Sequence, residues 1–125
     1  HSILACKIGD MERAKTMYLR TARLDLDDYN KEVNEGLHIT SMAGSWMSVV
    51  EGFGGLRIKN DTLYFNPFIP DNWKSLAFKV IFRGRTIKAK FEGGKTILTN
   101  ESEQPLSVMV KDATICIPAN STIGV

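Results

Sequence analysis

The hydrophobic period of this 125-residue chain changes once, at Gly52-Phe53-Gly54-Gly55, and that change limits the fold more than any other feature. Upstream, apolar residues recur at steps of three or four, the spacing that lines one face of a helix. Downstream, from Leu56, they alternate, the spacing that lines one face of a strand. A glycine-rich run suits the boundary because it exposes backbone and tolerates positive φ. The sequence predicts an α+β chain with a helical part over residues 1–55 and an antiparallel β-domain over residues 56–125.

Within the helical part, Ser2 to Lys7 suits a helix, Gly9 stops it, and Asp10 is placed to cap the next one. Met11, Ala14, Met17, Tyr18 and Ala22 then mark the apolar face of a helix running to about Leu24, with core packing as the expected use of that stripe. Asp25 to Asn34 is polar and rich in turn formers, so it predicts an irregular surface connection. Its acidic residues lack the central glycine and closing glutamate of a calcium loop. A third helix is expected over Ser41–Glu51, with Met42, Trp46, Val49 and Val50 as its apolar stripe.

Seven strands are expected beyond the junction: Leu56–Lys59, Thr62–Asn66, Ser75–Phe82, Arg85–Glu92, Lys95–Asn100, Leu106–Val110 and Ala113–Ile117. Asn60-Asp61, Arg83-Gly84 and Gly93-Gly94 are two-residue hairpin turns between them. Pro67, Pro70, Pro105 and Pro118 all fall between strands, where a missing amide hydrogen costs no ladder bond. Short strands with tight turns and no intervening helices predict an antiparallel sandwich.

Composition narrows the function. Sixteen basic residues stand against fourteen acidic ones. They are spread along the chain, which gives no electrostatic footprint for nucleic acid. No apolar run reaches the length of a membrane helix and no signal segment opens the chain, so no membrane partner is expected and a cytoplasmic location is. Cys6 and Cys116 lie far apart and read as free thiols, with no metal-ligand pattern. The Asn-x-Ser/Thr triplets at Asn60, Asn100 and Asn120 read as turn chemistry. The opening His1-Ser2-Ile3-Leu4-Ala5 reads as the inside of a helical segment, and the chain is expected to be a piece of a longer protein.

Chemistry concentrates in Asn34 to Trp46. His38, Thr40, Ser41 and Gly44 surround the start of the third helix, whose first amides have no partner inside the helix and whose dipole favours an anion. The hydroxyls of Thr40 and Ser41 and a ring N–H of His38 can donate to an oxyanion, and Gly44 permits close approach to the backbone. The competing reading makes Thr40 or Ser41 an ordinary helix cap and His38 a structural residue; from physics alone the cap comes first. Glu35 and Glu51 are the nearest carboxylates and read as surface residues. No nucleophile constellation is apparent, with His1 and His38 as the only histidines.

EGLHITSMAGSW (Glu35 to Trp46), followed by VVEGFGGLRI (Val49 to Ile58), resembles the closing segment of the catalytic barrel in the maltose phosphorylase family, glycoside hydrolase family sixty-five. The preceding helices resemble the last ones of that family's (α/α)6 barrel, and LYFNPFIPDNWKSLAFKVIFRGRTIKAKF resembles its small C-terminal β-domain. The resemblance implies the C-terminal part of an inverting phosphorylase. Inorganic phosphate, a co-substrate with no cofactor beside it, would cleave an α-glucosyl disaccharide to β-glucose 1-phosphate and glucose. His38 matches the family histidine that contacts phosphate, with Ser41, Gly44 and Thr40 beside it. The resemblance reverses the order reached from physics alone. The general acid is expected upstream, so no catalytic residue is assigned here and the piece alone should be inert. The upstream barrel is the implied partner, and a homodimer is left open. Two alternatives stand: a family hydrolase of α-disaccharides, and a noncatalytic carbohydrate-binding or structural sandwich, in which Trp73 and Phe68 would be the sugar platform instead of packed rings.

Overall fold

The computed structural model describes every residue except Tyr29, and Val33 in its backbone only. The chain forms two compact units, His1–Phe53 and Gly54–Val125.

The first unit contains α1 (Ser2–Lys7), α2 (Met11–Ala22), a 3₁₀ turn at Val33–Glu35, α3 (Ile39–Met47) and a π-helical segment, Ser48–Phe53. Asp10 caps α2 as expected, its carboxylate accepting from the Arg13 amide at 3.0 Å. That bond satisfies one of the orphan donors of the first turn. The buried Ser2 hydroxyl donates to the Ala14 carbonyl at 3.0 Å and ties α1 to α2. The α2 stripe faces inward: Ala14 is buried, and the Tyr18 ring stands edge-on to Phe53 with centroids 5.6 Å apart. Edge-to-face contacts of this kind add to the area that two such rings bury. The described residues of the stretch Asp25–Asn34 are irregular as expected up to Glu32, and Val33 and Asn34 enter the 3₁₀ turn; Tyr29, within the stretch, lies outside the described residues.

The third helix differs from the expectation at both ends. It begins at Ile39 with His38 in the cap position and ends at Met47, where the winding loosens into the π segment. The Ser45 and Ser48 hydroxyls bond back to the Ser41 and Gly44 carbonyls at 2.8 Å, a habit that bends helices. The change of winding breaks the expected stripe. Val50 is buried, whereas Met42 and Trp46 are 56% and 54% exposed. Ile8, Leu26, Leu37 and Ile39 are more exposed still.

The second unit holds two four-stranded sheets, ordered β1-β2-β6-β7 and β3-β4-β5-β8. Their strands are β1 (Arg57–Lys59), β2 (Thr62–Phe65), β3 (Ser75–Phe82), β4 (Arg85–Glu92), β5 (Lys95–Asn100), β6 (Leu106–Val110), β7 (Ala113–Ile117) and β8 (Ser121–Gly124). Burial alternates as the sequence does: Ile87, Ala89 and Phe91 are buried on β4 while Lys88 and Glu92 are exposed. Phe65 of one sheet meets Phe78 and Phe91 of the other at 6.5 and 6.3 Å between centroids, so the sheets pack face to face as a sandwich.

Two features depart from the expected sandwich. An eighth strand, β8, pairs with β5, and β2 pairs with β6 in parallel, Leu63 opposite Val108. A parallel pair needs a long crossover, here supplied by the whole β3–β5 meander. Turn chemistry accounts for the rest. Asn60 and Asp61 both have positive φ, as do Arg83 with Gly84 and Gly93 with Gly94, the conformation in which a two-residue hairpin matches strand twist.

Gly55 is the glycine the structure cannot replace. Its φ is +64°, and a Cβ built on it would overlap the backbone of Asn66. The two residues also share a ladder bond, Asn66 N–H to the Gly55 carbonyl at 3.2 Å. Gly52, by contrast, sits within the π segment, where an added Cβ would meet the Cys6 sulfur at 3.4 Å, an ordinary contact.

Two of the three Asn-x-Ser/Thr asparagines are turn residues, and the third ends strand β5. Asn60 and Asn120 are positive-φ turn residues. Asn100 is fully buried, its carbonyl accepting from the Ser102 amide and hydroxyl and its NH₂ directed at the Gln104, Ile117 and Pro118 carbonyls. Such a residue is a packing hub and offers no nitrogen to a glycan. Among the described residues no helix is long and apolar enough to cross a membrane.

Candidate functional site

His38 is held at two points by one carboxylate. Its backbone amide donates to Asp25 Oδ2 at 3.0 Å, and its Nδ1 lies 2.5 Å from Asp25 Oδ1. One carboxylate thus fixes both the main chain and the ring at the cap of α3. Since Asp25 can only accept, Nδ1 carries the proton, and Nε2 is the ring atom left for another partner. In the structure Nε2 faces Glu32 Oε2 at 3.4 Å.

The charges around the ring favour the imidazolium. The hydrogen bond with Asp25 raises the His38 pKa above its usual 6.5, burial opposes this, and the charges of Asp25, Glu32 and Glu35 reinforce it. The same hydrogen bond, with a further one from the His38 amide, holds Asp25 below the usual 3.8. Both side chains are half-buried, 29% and 20% exposed, which leaves the pair partly open to solvent and salt.

The expected phosphate residues fall in two places. His38 lines a small cavity of about 120 Å³ together with Leu24, Asp25, Asp28, Asn30 and Glu32. Ser41 and Gly44 line another, of about 440 Å³, with His1, Arg20, Thr21 and Ser48. Thr40 is exposed in the first turn of α3. The cap expected of Thr40 or Ser41 is absent: His38 occupies that position, with no side-chain cap bond, and its carbonyl accepts from Ser41 and Met42 at 2.9 and 3.2 Å. The Ile39 and Thr40 amides therefore have no partner within the helix. Gly44 lies a turn and a half further on, where an added Cβ would sit 3.5 Å from the Thr21 methyl. That is an ordinary contact, so a methyl group would fit there.

Of the carboxylates weighed from sequence, Glu35 is exposed in the 3₁₀ turn and Glu51 is partly buried in the π segment. Asp25 was the residue missed, read as one more charge in a solvated loop. Nothing local marks it out, because its partner lies thirteen positions away.

In the sandwich, Trp73 and Phe68 are both half-buried. Trp73 lines a groove of about 350 Å³ with Pro67, Lys74, Glu92, Lys95 and Lys111; Phe68 does not.

Two models of one family cover most of the sequence: residues 1–47 match "Glycosyl hydrolase family 65 central catalytic domain" and residues 56–116 match "Glycosyl hydrolase family 65, C-terminal domain". The chain belongs to glycosyl hydrolase family 65. In the terms of that family, α1 to α3 are closing helices of the catalytic (α/α)6 barrel and the sandwich is the C-terminal domain. The chain is 41% identical over 117 residues to maltose phosphorylase of Bacillus subtilis, covering 94% of this chain and 16% of that protein. It is 40% identical over 116 residues to α,α-trehalose phosphorylase of Thermoanaerobacter brockii, covering 93% and 15%. It is 30% identical over 128 residues to kojibiose phosphorylase of Halothermothrix orenii, covering 98% and 16%. A solved structure of a candidate kojibiose phosphorylase from the human microbiome superposes with a TM-score of 0.90 at 37% identity, covering all of this chain and 16% of that one. The family 65 chain thus spans about one sixth of the length of the relatives it matches.

Proposed function

We propose that these residues form the C-terminal part of an inverting α-glucosyl disaccharide phosphorylase and that the start of α3 contributes one wall of its phosphate site. In such a reaction a phosphate oxygen attacks the anomeric carbon from the face opposite the leaving sugar, and a carboxylic acid elsewhere in the enzyme protonates the departing oxygen. Here His38 would donate from its ring and the first amides of α3 from the backbone, with Thr40 at the rim, while Ser41 and Gly44 line the neighbouring cavity on the same helix.

One observation carries this reading. The relatives named for maltose, trehalose and kojibiose differ in the glucosidic linkage in their names and share the word phosphorylase, and this segment resembles all of them at 30–41% identity. A segment common to enzymes that differ in sugar and agree in phosphate belongs with the phosphate end or with the scaffold. His38, fixed by Asp25 at the head of α3, supports the former, because a ring N–H donor beside a helix N-terminus is suited to an anion.

The test is phosphorolysis by the full-length enzyme with His38→Ala. The KM for phosphate should rise by at least about tenfold, the loss of one charge-assisted hydrogen bond, while the KM for disaccharide changes far less. An unchanged phosphate KM would remove His38 from the site. Release of glucose in phosphate-free buffer at the phosphorolytic rate would assign the enzyme to hydrolysis instead.

A further inference from the structure

We propose that Asp25 is the positioning residue of the phosphate site, holding His38 in the orientation and charge state that present its Nε2–H to the anion. The inference rests on the phosphate reading above and adds to it a residue that neither composition nor motif singles out.

The geometry is that of a two-point clamp. Asp25 Oδ2 takes the His38 amide and Oδ1 takes the ring Nδ1–H, so the carboxylate sets where the residue sits and which way the ring faces. A ring held through Nδ1 has only Nε2 to offer, and a neighbouring carboxylate favours the doubly protonated form. The other charges acting on the ring are also acidic: Glu32 at 3.4 Å from Nε2 and Glu35 near enough to stabilise the imidazolium, with Asp28 lining the same cavity. Without Asp25 these would still attract a proton, but none of them touches Nδ1. The same carboxylates repel an anion. Phosphate can therefore gain at Nε2 only when the ring is charged and the Glu32 contact is exchanged for it. Asp25 sits on the far side of the ring from Nε2, so its charge can favour the imidazolium without occupying the donor.

The experiment measures the phosphate KM of the full-length enzyme at pH 6 and pH 7.5 for wild type, Asp25→Asn, Asp25→Glu and His38→Ala. Phosphate's own ionisation is common to all four and cancels in the ratios. Asp25→Asn keeps an acceptor for the His38 amide and removes the charge. It should raise the phosphate KM about tenfold at pH 7.5, and clearly less at pH 6, where the ring protonates without help. Asp25→Glu, which returns the carboxylate on a longer side chain, should recover part of the loss at pH 7.5. Disaccharide KM in the same assays reports whether each variant retains a formed site. An equal rise at both pH values, an equal rise in disaccharide KM, or no rise at all would overturn the role of Asp25 while leaving His38 in place. An unchanged phosphate KM in His38→Ala would overturn the phosphate reading itself, and this inference with it.

Discussion

Asp25 and His38 are joined twice, amide to carboxylate at 3.0 Å and ring to carboxylate at 2.5 Å, across thirteen positions of chain. The pair closes the connection from α2 to α3 onto the head of α3.

Its effect on stability should have two limits in pH. His38 has a raised folded-state pKa, so its contribution is complete below 6.5 and is lost as pH rises through the raised value. Asp25 has a lowered one, so its contribution is present above 3.8 and is lost as pH falls through the lowered value. The difference in melting temperature between wild type and Asp25→Asn should be widest between 3.8 and 6.5 and shrink outside them. A difference independent of pH would mean that packing, not ionisation, joins the pair.

Gly55→Ala should destabilise the sandwich by at least about 2 kcal/mol, combining a left-handed backbone with an overlap that only movement of Asn66 can relieve. Gly52→Ala, which meets Cys6 at 3.4 Å, should cost about 1 kcal/mol or less. Denaturant unfolding of the two variants side by side tests the contrast, and equal losses would contradict it.

Asn100→Ala leaves several buried backbone partners without a donor or acceptor, and about 2–3 kcal/mol of stability should go with it. Asn100→Asp is the sharper variant, since a second oxygen would then face the Gln104 and Ile117 carbonyls. Its loss should exceed that of alanine at neutral pH and fall back as the acid is protonated. A pH-independent melting shift would argue against the hub.

Phe65 is fully buried between the sheets against Phe78 and Phe91. Phe65→Ala should cost about 3–5 kcal/mol, whereas Phe65→Leu should cost less because much of the volume is kept. Calorimetry would decide, and a loss under about 1 kcal/mol for alanine would show the sandwich collapsing around the gap.

Much of the sandwich was legible in the sequence because its rules are local. The bounds of β3 through β7 follow from alternation and from turns such as Arg83-Gly84, each written in adjacent residues. The parallel pairing of β2 with β6 was not legible, since nothing in Thr62–Phe65 names a partner over forty positions away. Neither was β8, a short strand of Ser, Thr, Ile and Gly with little alternation, held by its place on the edge of β5. At the candidate site, His38 stood out by residue type and resemblance. The start of α3 was set two residues late, because Thr40 and Ser41 look like caps and their hydroxyls are not used as such. Met42 and Trp46 have helical spacing, but spacing says only that they share a face, not that this unit covers it.

The β2–β6 pairing also orders assembly. The meander β3–β4–β5 is built from neighbouring hairpins, while Leu63 meets Val108 only after the intervening chain has been gathered. Closing so long a loop costs entropy that the hairpins do not incur, and it is repaid sooner once the meander has shortened the distance. Pulsed hydrogen exchange should find the amides of Leu76–Glu92 protected before those of Leu63–Phe65. The β1–β2 hairpin, first of the strands along the chain, would then be among the last to be built into its sheet.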